Sequence, residues 1–67
     1  MNYGDALRAQ RLLCGKSILE VEKATGIKNQ NISRWERGEV LPSIDFCVKL
    51  ADFYGVTLDE LVGRDLK

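Results

Sequence analysis

The 67-residue chain has no histidine, a single proline, two cysteines and no long apolar run. Without histidine, Cys14 and Cys47, 33 positions apart, are too few ligands for a zinc site at any usual spacing. Both are expected to be small buried apolar residues rather than a disulfide or metal pair. No nucleophile is clustered with a base, and there is no glycine-rich phosphate loop, so neither an enzyme nor a cofactor is expected. The longest apolar stretches are only a few residues, which argues against a membrane span. The opening "MNYGDALRAQR" lacks the apolar segment of a signal peptide, and the expectation is a cytoplasmic protein.

A net charge of one sign is also missing: ten basic residues balance ten acidic ones. Proteins that bind nucleic acid are usually basic, but distribution matters more than the sum. Residues 23–38 carry Lys23, Lys28, Arg34 and Arg37 against Glu36, a local +3, and residues 39–67 carry a compensating −3. With 45% hydrophobic and 30% charged residues, the composition is that of a soluble globular protein. The chain reads as one domain over residues 1–67. A domain this small buries only about 60% of the surface its unfolded chain exposes, so its stability margin is thin and a partner subunit would help.

Strand-like alternation is absent, and Gly and Pro fall where helices should stop. Five helices are readable. The first runs from about Asn2 to Cys14, with Tyr3, Leu7, Arg11 and Cys14 on one stripe and Gly15 ending it. The second starts at Ser17, where "SILE" is a capping box pairing Ser17 with Glu20. It buries Ile18, Val21 and Thr25 and closes at Gly26. The third spans Asn29 to Arg37, closed by Gly38. After "EVLPS", with Pro42 barred from a helix and Ser43 a good N-cap, the fourth runs from Ile44 to Tyr54. Ile44, Cys47, Leu50, Ala51 and Tyr54 share its apolar spacing. The fifth starts at Thr57 in a second capping box, "TLDE", and uses Leu58, Leu61 and Val62 before Gly63. Short helices on short turns imply an all-α, orthogonally packed bundle.

Helices two and three are separated only by Gly26, Ile27 and Lys28, the length of a helix-turn-helix corner. Gly26 permits the left-handed conformation that the corner needs, and Ile27 can plug it from inside. On a helical wheel, Ile32, Trp35 and Glu36 fall on one arc of helix three. Asn29, Gln30, Ser33, Arg34 and Arg37 fall on the other, with Asn31 at the margin. Asn and Gln can bond bidentately to adenine, and Arg34 can read guanine or hold a phosphate. The residues alone leave two readings open, a DNA-reading face and an ordinary solvated one. Two asparagines in the first turn, poor helix formers, and the lack of stabilising Glu–Lys pairs favour the first.

"ISRWERG" followed by "LPS", within a pattern running from "LRAQR" through "YGVTLDELVG", resembles the signature of the Cro/C1-type (Xre, lambda-repressor-like) helix-turn-helix regulators. The resemblance covers nearly the whole chain. It implies a compact five-helix domain whose helix-turn-helix occupies about residues 17–37, with helix three in the major groove of double-stranded DNA. Position by position, it implies base reading by Asn29, Gln30, Ser33 and Arg34. Phosphate contacts would come from Ser17, Lys28, Asn31, Arg37 and Gly38, helped by the dipole of helix two. Arg11 is expected to form a mostly buried ion pair with Glu36, and Trp35 to be partly buried against Pro42.

Five positions depart from the pattern. Ile18 stands where Gln is common, Glu22 where a small Ala is usual, and Thr25 where a hydrophobic residue precedes the turn glycine. Lys28 replaces a Ser or Thr N-cap at a cost of about 1 kcal/mol. Glu39 occupies a loop that is often basic and should weaken DNA affinity.

The resemblance implies a transcriptional regulator, a repressor, that binds a pseudo-palindromic operator as a homodimer, without metal or membrane. Leu58, Leu61, Val62 and Leu66 either supply the dimer contact or complete the core, and Phe46 and Phe53 are extra exposed aromatics. The competing reading, favoured by the neutral charge and acidic last third, is a protein-interaction module that keeps the fold but not DNA binding.

Overall fold

Four of the five helices begin at a side chain able to accept a hydrogen bond from the free amides of a first turn. The computed structural model describes residues 2–64 and holds α1 (Tyr3–Leu13), α2 (Ile18–Thr25), α3 (Asn29–Glu36), α4 (Ile44–Tyr54) and α5 (Leu58–Val62). No strand occurs among the described residues. Asn2 caps α1 by accepting from the Asp5 amide at 2.9 Å, and Ser43 caps α4. Ser17 and Thr57 form the reciprocal boxes with Glu20 and Glu60 read from the sequence. Lys28, as its chemistry dictates, gives α3 no side-chain cap. The helix limits fall within one residue of expectation: Asn2, Cys14 and Arg37 are caps rather than helical residues.

The core gathers one stripe from each helix. Val21, Ile32, Leu50 and Leu61 are almost completely buried, joined by Leu7, Ile27, Trp35, Ala51 and Tyr54. Ile27 plugs the corner after α2, where Gly26 takes φ 78°. Thr25, the polar residue before that glycine, is fully used. Its hydroxyl donates to the Val21 carbonyl at 2.7 Å and accepts from the Ile27 amide at 3.2 Å. α1 packs on α3 and α5, α2 on α3 and α4, and α4 on α5. Gly4 makes the first of these contacts possible. A Cβ there would stand 2.6 Å from the Glu36 carbonyl oxygen and 2.9 Å from that of Trp35.

Several expectations are corrected. Cys14, the C-cap of α1, is exposed although its Sγ lies 3.8 Å from the Tyr54 carbonyl oxygen; Cys47 is buried. Ile44, on the first turn of α4, is 72% exposed. Phe46 and Phe53 are not free aromatics, since both are half-buried against the core. Phe46 lies against Trp35 with ring centroids 5.1 Å apart, which leaves Trp35 buried rather than partly so. Leu61 cannot offer a dimer surface: its exposure is 0%, because it faces the core from α5. Leu58 is exposed and Val62 half-buried, while Leu66 lies outside the described residues.

Candidate nucleic-acid interface

α3 is anchored by its inner face. Ile32 and Trp35 are buried, and Glu36 turns inward to meet Arg11 of α1. The guanidinium forks onto the carboxylate, Nε donating to Oε2 at 2.7 Å and Nη2 to Oε1 at 2.9 Å. Its Nη1 donates to the Lys16 carbonyl at 2.9 Å, so one side chain ties α3 to the turn between α1 and α2. The Glu36 hydrogen bonds raise the Arg11 pKa against the opposing effect of burial. Nearby Tyr54 is pushed up to about 12, chiefly by burial and then by the Glu36 charge.

The outer face holds what the wheel placed there. Asn29, Gln30, Ser33, Arg34 and Arg37 line one shallow concavity of about 410 Å³. A second, of about 230 Å³, adjoins it between α1, the start of α2 and α3, and is lined by Arg8, Arg11, Ile18, Ser33, Glu36 and Arg37. Arg8 is the residue that sequence reasoning missed. It is exposed and stands three positions before Arg11, so helical spacing puts both arginines on neighbouring ground. Its approach to Ser33 and Arg37 had no visible signal until α1 was placed against α3.

Several outer-face groups are already engaged. The Asn29 Nδ2 donates to Glu22 Oε1 at 2.7 Å. The Arg37 Nε lies 2.9 Å from Glu39 Oε2, with side-chain exposures of 58% and 53%. The Gly38 amide donates to the Trp35 carbonyl at 3.1 Å, and the Glu39 amide to that of Arg34 at 3.0 Å. The amide of Gly38 is therefore engaged in closing α3. Ser17 is similar. Its amide is taken by the Glu20 carboxylate at 2.8 Å and its oxygen accepts the Glu20 amide at 3.1 Å, leaving only the hydroxyl hydrogen to give. These hydrogen bonds hold the Glu20 carboxyl below its ordinary pKa. Lys28 is exposed and Asn31 half-buried, both beside the start of α3. Gln30 and Arg34 are exposed and make no side-chain hydrogen bond or ion pair among the described residues. No group of His, Cys, Asp and Glu among the described residues could hold a metal ion, and no described helix is long and apolar enough to cross a membrane.

The chain matches the helix-turn-helix family over residues 7–61. It is 34% identical over 65 residues to the HTH-type transcriptional regulator ImmR of Bacillus subtilis (strain 168), covering 97% of this chain and 51% of that protein. To the cryptic phage CTXphi transcriptional repressor RstR of Vibrio cholerae it is 33% identical over 64 residues, covering 96% and 57%. The chain thus spans little more than half the length of these curated relatives. Among solved structures, the P22 c2 repressor protein, in complex with synthetic operator 9T, superposes with a TM-score of 0.87 at 28% identity, over 97% of this chain and 98% of that one.

Proposed function

The chain belongs to the helix-turn-helix family, and from that premise we infer that it is a transcriptional regulator, acting as a repressor, that binds a specific double-stranded DNA sequence with α3 in the major groove. One observation carries this reading. Four polar side chains of α3 and that of its C-cap, Arg37, are gathered in one open concavity, on a helix whose opposite face is locked to the domain by Arg11 and Glu36. A rigid helix presenting Asn, Gln and Arg is what direct readout of base edges requires. Relatives described as a transcriptional regulator and a transcriptional repressor, and a fold neighbour in complex with an operator, support the same conclusion.

Gln30, Ser33, Arg34 and the outer edge of Asn29 read bases; Arg37, Lys28, Asn31 and Arg8 hold phosphates. Binding is by two copies on half-sites about one helical turn apart. Leu58 and Val62 contribute to the dimer contact. The protein works in the cytoplasm, where its operator lies.

The Arg37–Glu39 pair and the neutral net charge favour a second reading, a protein-interaction module without DNA binding. Selection of bound sequences from random duplex, followed by titration at low salt, separates the two. An enriched motif with two half-sites supports the repressor. No binding to any duplex at low salt, with Arg34→Ala and Arg37→Ala together changing nothing, rejects it.

A further inference from the structure

Glu22 is the departure in α2 that a surface role does not explain. It is half-buried, and its Oε1 accepts from Asn29 Nδ2 at 2.7 Å across the corner of the helix-turn-helix. A carboxylate offers only acceptors, so the end of the Asn29 amide that faces it must be the nitrogen. One of the two amide N–H bonds is thereby spent, and Oδ1 is held on the other side. Without such a partner, an asparagine amide can turn over and present donor and acceptor in either order. Asn29 is the first residue of α3, its N-cap Lys28 contributes no side-chain bond, and Glu22 is the side chain that holds its orientation.

We propose that Glu22 is a specificity-determining positioning residue: it selects one of the two amide orientations of Asn29 and so decides which base edge Asn29 accepts. This rests on the reading of α3 as the groove helix. With the amide fixed, Asn29 presents Oδ1 as an acceptor beside a single remaining N–H. That order suits the amino group and N7 of adenine, and penalises a base with an acceptor where Oδ1 points. Glu22 also brings a negative charge close to the groove, which lowers affinity for every sequence alike. Selectivity and general affinity therefore depend on the same carboxylate in opposite senses.

Two substitutions separate these effects. Glu22→Gln keeps the shape, removes the charge, and offers both a donor and an acceptor, so Asn29 is free to take either orientation. Glu22→Asp keeps the charge but shortens the arm by one methylene, so the contact is lost. The base pair that depends on Asn29 is located by comparing sequences selected by the wild type and by Asn29→Ala. At that pair, both Glu22 variants are expected to lower discrimination from about tenfold or more to about threefold or less, leaving the pairs read by Gln30 and Arg34 unchanged. Affinity for random duplex should rise in Glu22→Gln and stay level in Glu22→Asp. Adding Glu22→Gln to Asn29→Ala should cause no further loss of discrimination.

A selective wild type whose Asn29-dependent preference survives both substitutions overturns the role of Glu22 and leaves the DNA-binding reading standing. An Asn29→Ala variant with unaltered base preferences overturns that role equally. A wild type with no sequence preference overturns the groove reading, and the role of Glu22 with it.

Discussion

The two faces of α3 use the same kinds of side chain to opposite ends. On the inner face the charged group is paired: Glu36 takes two bonds from Arg11, whose third donor closes on Lys16. The outer face is divided. Asn29 and Arg37 are held by Glu22 and Glu39, while Gln30 and Arg34 are exposed and uncommitted among the described residues. Burial explains the contrast. A charge shielded from water must be paired or it costs several kcal/mol, whereas a charge in water costs little to leave open or to re-pair. The inner face supplies rigidity, and the outer face keeps groups available for exchange with a partner.

The largest expected effect comes from breaking the inner face. Glu36→Ala leaves the Arg11 guanidinium shielded with one of its three hydrogen bonds and should cost about 3–5 kcal/mol, much of the stability of a domain this size. Urea denaturation would measure it. Arg11→Lys should recover little, because an ammonium cannot fork onto Glu36 and reach the Lys16 carbonyl at once. If Glu36→Gln or Glu36→Ala unfolds with the wild-type midpoint, the pair is not the anchor of α3. Next in size is Gly4→Ala. Its methyl group would sit 2.6 Å from a backbone oxygen, so α1 must move off α3. A loss of about 1–3 kcal/mol is expected, against the slight gain that alanine brings to an unobstructed helix.

The contrast between the faces also marks what the sequence could convey. Signals spanning a few residues were legible. The capping boxes at Ser17 and Thr57, the limits of α4 and the division of α3 into an Ile32–Trp35–Glu36 side and a polar side needed only local chemistry and helical spacing. The Arg11–Glu36 pair came from family resemblance, since nothing in spacing joins positions 25 apart. Periodicity misled at helix ends: Cys14 and Ile44 fit their stripes but are exposed, one capping α1 and the other opening α4. It also undercounted the core, which in so small a domain recruits Phe46 and Phe53 from outside the main stripe. Which outer polar groups pair with each other was illegible. Glu22–Asn29 depends on the angle at the corner, and Arg8 joins the site only once α1 lies against α3.

On the outer face, effects should fall on binding and spare stability. Gln30→Ala is expected to cost about 1–3 kcal/mol at one base pair and to relax specificity there. Arg34→Ala should weaken binding by a similar amount, with loss confined to one base pair if the guanidinium reads guanine, and spread over all sequences if it holds phosphate. Both variants should unfold within about 0.5 kcal/mol of the wild type, because neither side chain is buried or paired among the described residues. A fall in stability matching the fall in affinity would return these residues to the inner face's role.

The smallest effect sharpens the comparison most, because it concerns a group that is paired yet in water. Arg37 must leave Glu39 to hold a phosphate, and the exposed pair is worth about 0–1 kcal/mol. Glu39→Gln should therefore leave stability almost unchanged. It should raise affinity for all duplexes by a few-fold and steepen the plot of log affinity against log salt by about 0.9, one more counterion released. Arg37→Ala should cost less in the wild type than in the Glu39→Gln background, where the arginine is already free. Fluorescence anisotropy on random duplex between about 50 and 200 mM salt is enough to see the difference. If Arg37→Ala has the same cost in both backgrounds, Glu39 does not compete with DNA for the arginine. The neutrality of the chain would then be a property of its distant acidic third alone. If the costs differ, part of that neutrality is built into the interface, where an acidic residue attenuates a contact that the sequence otherwise provides.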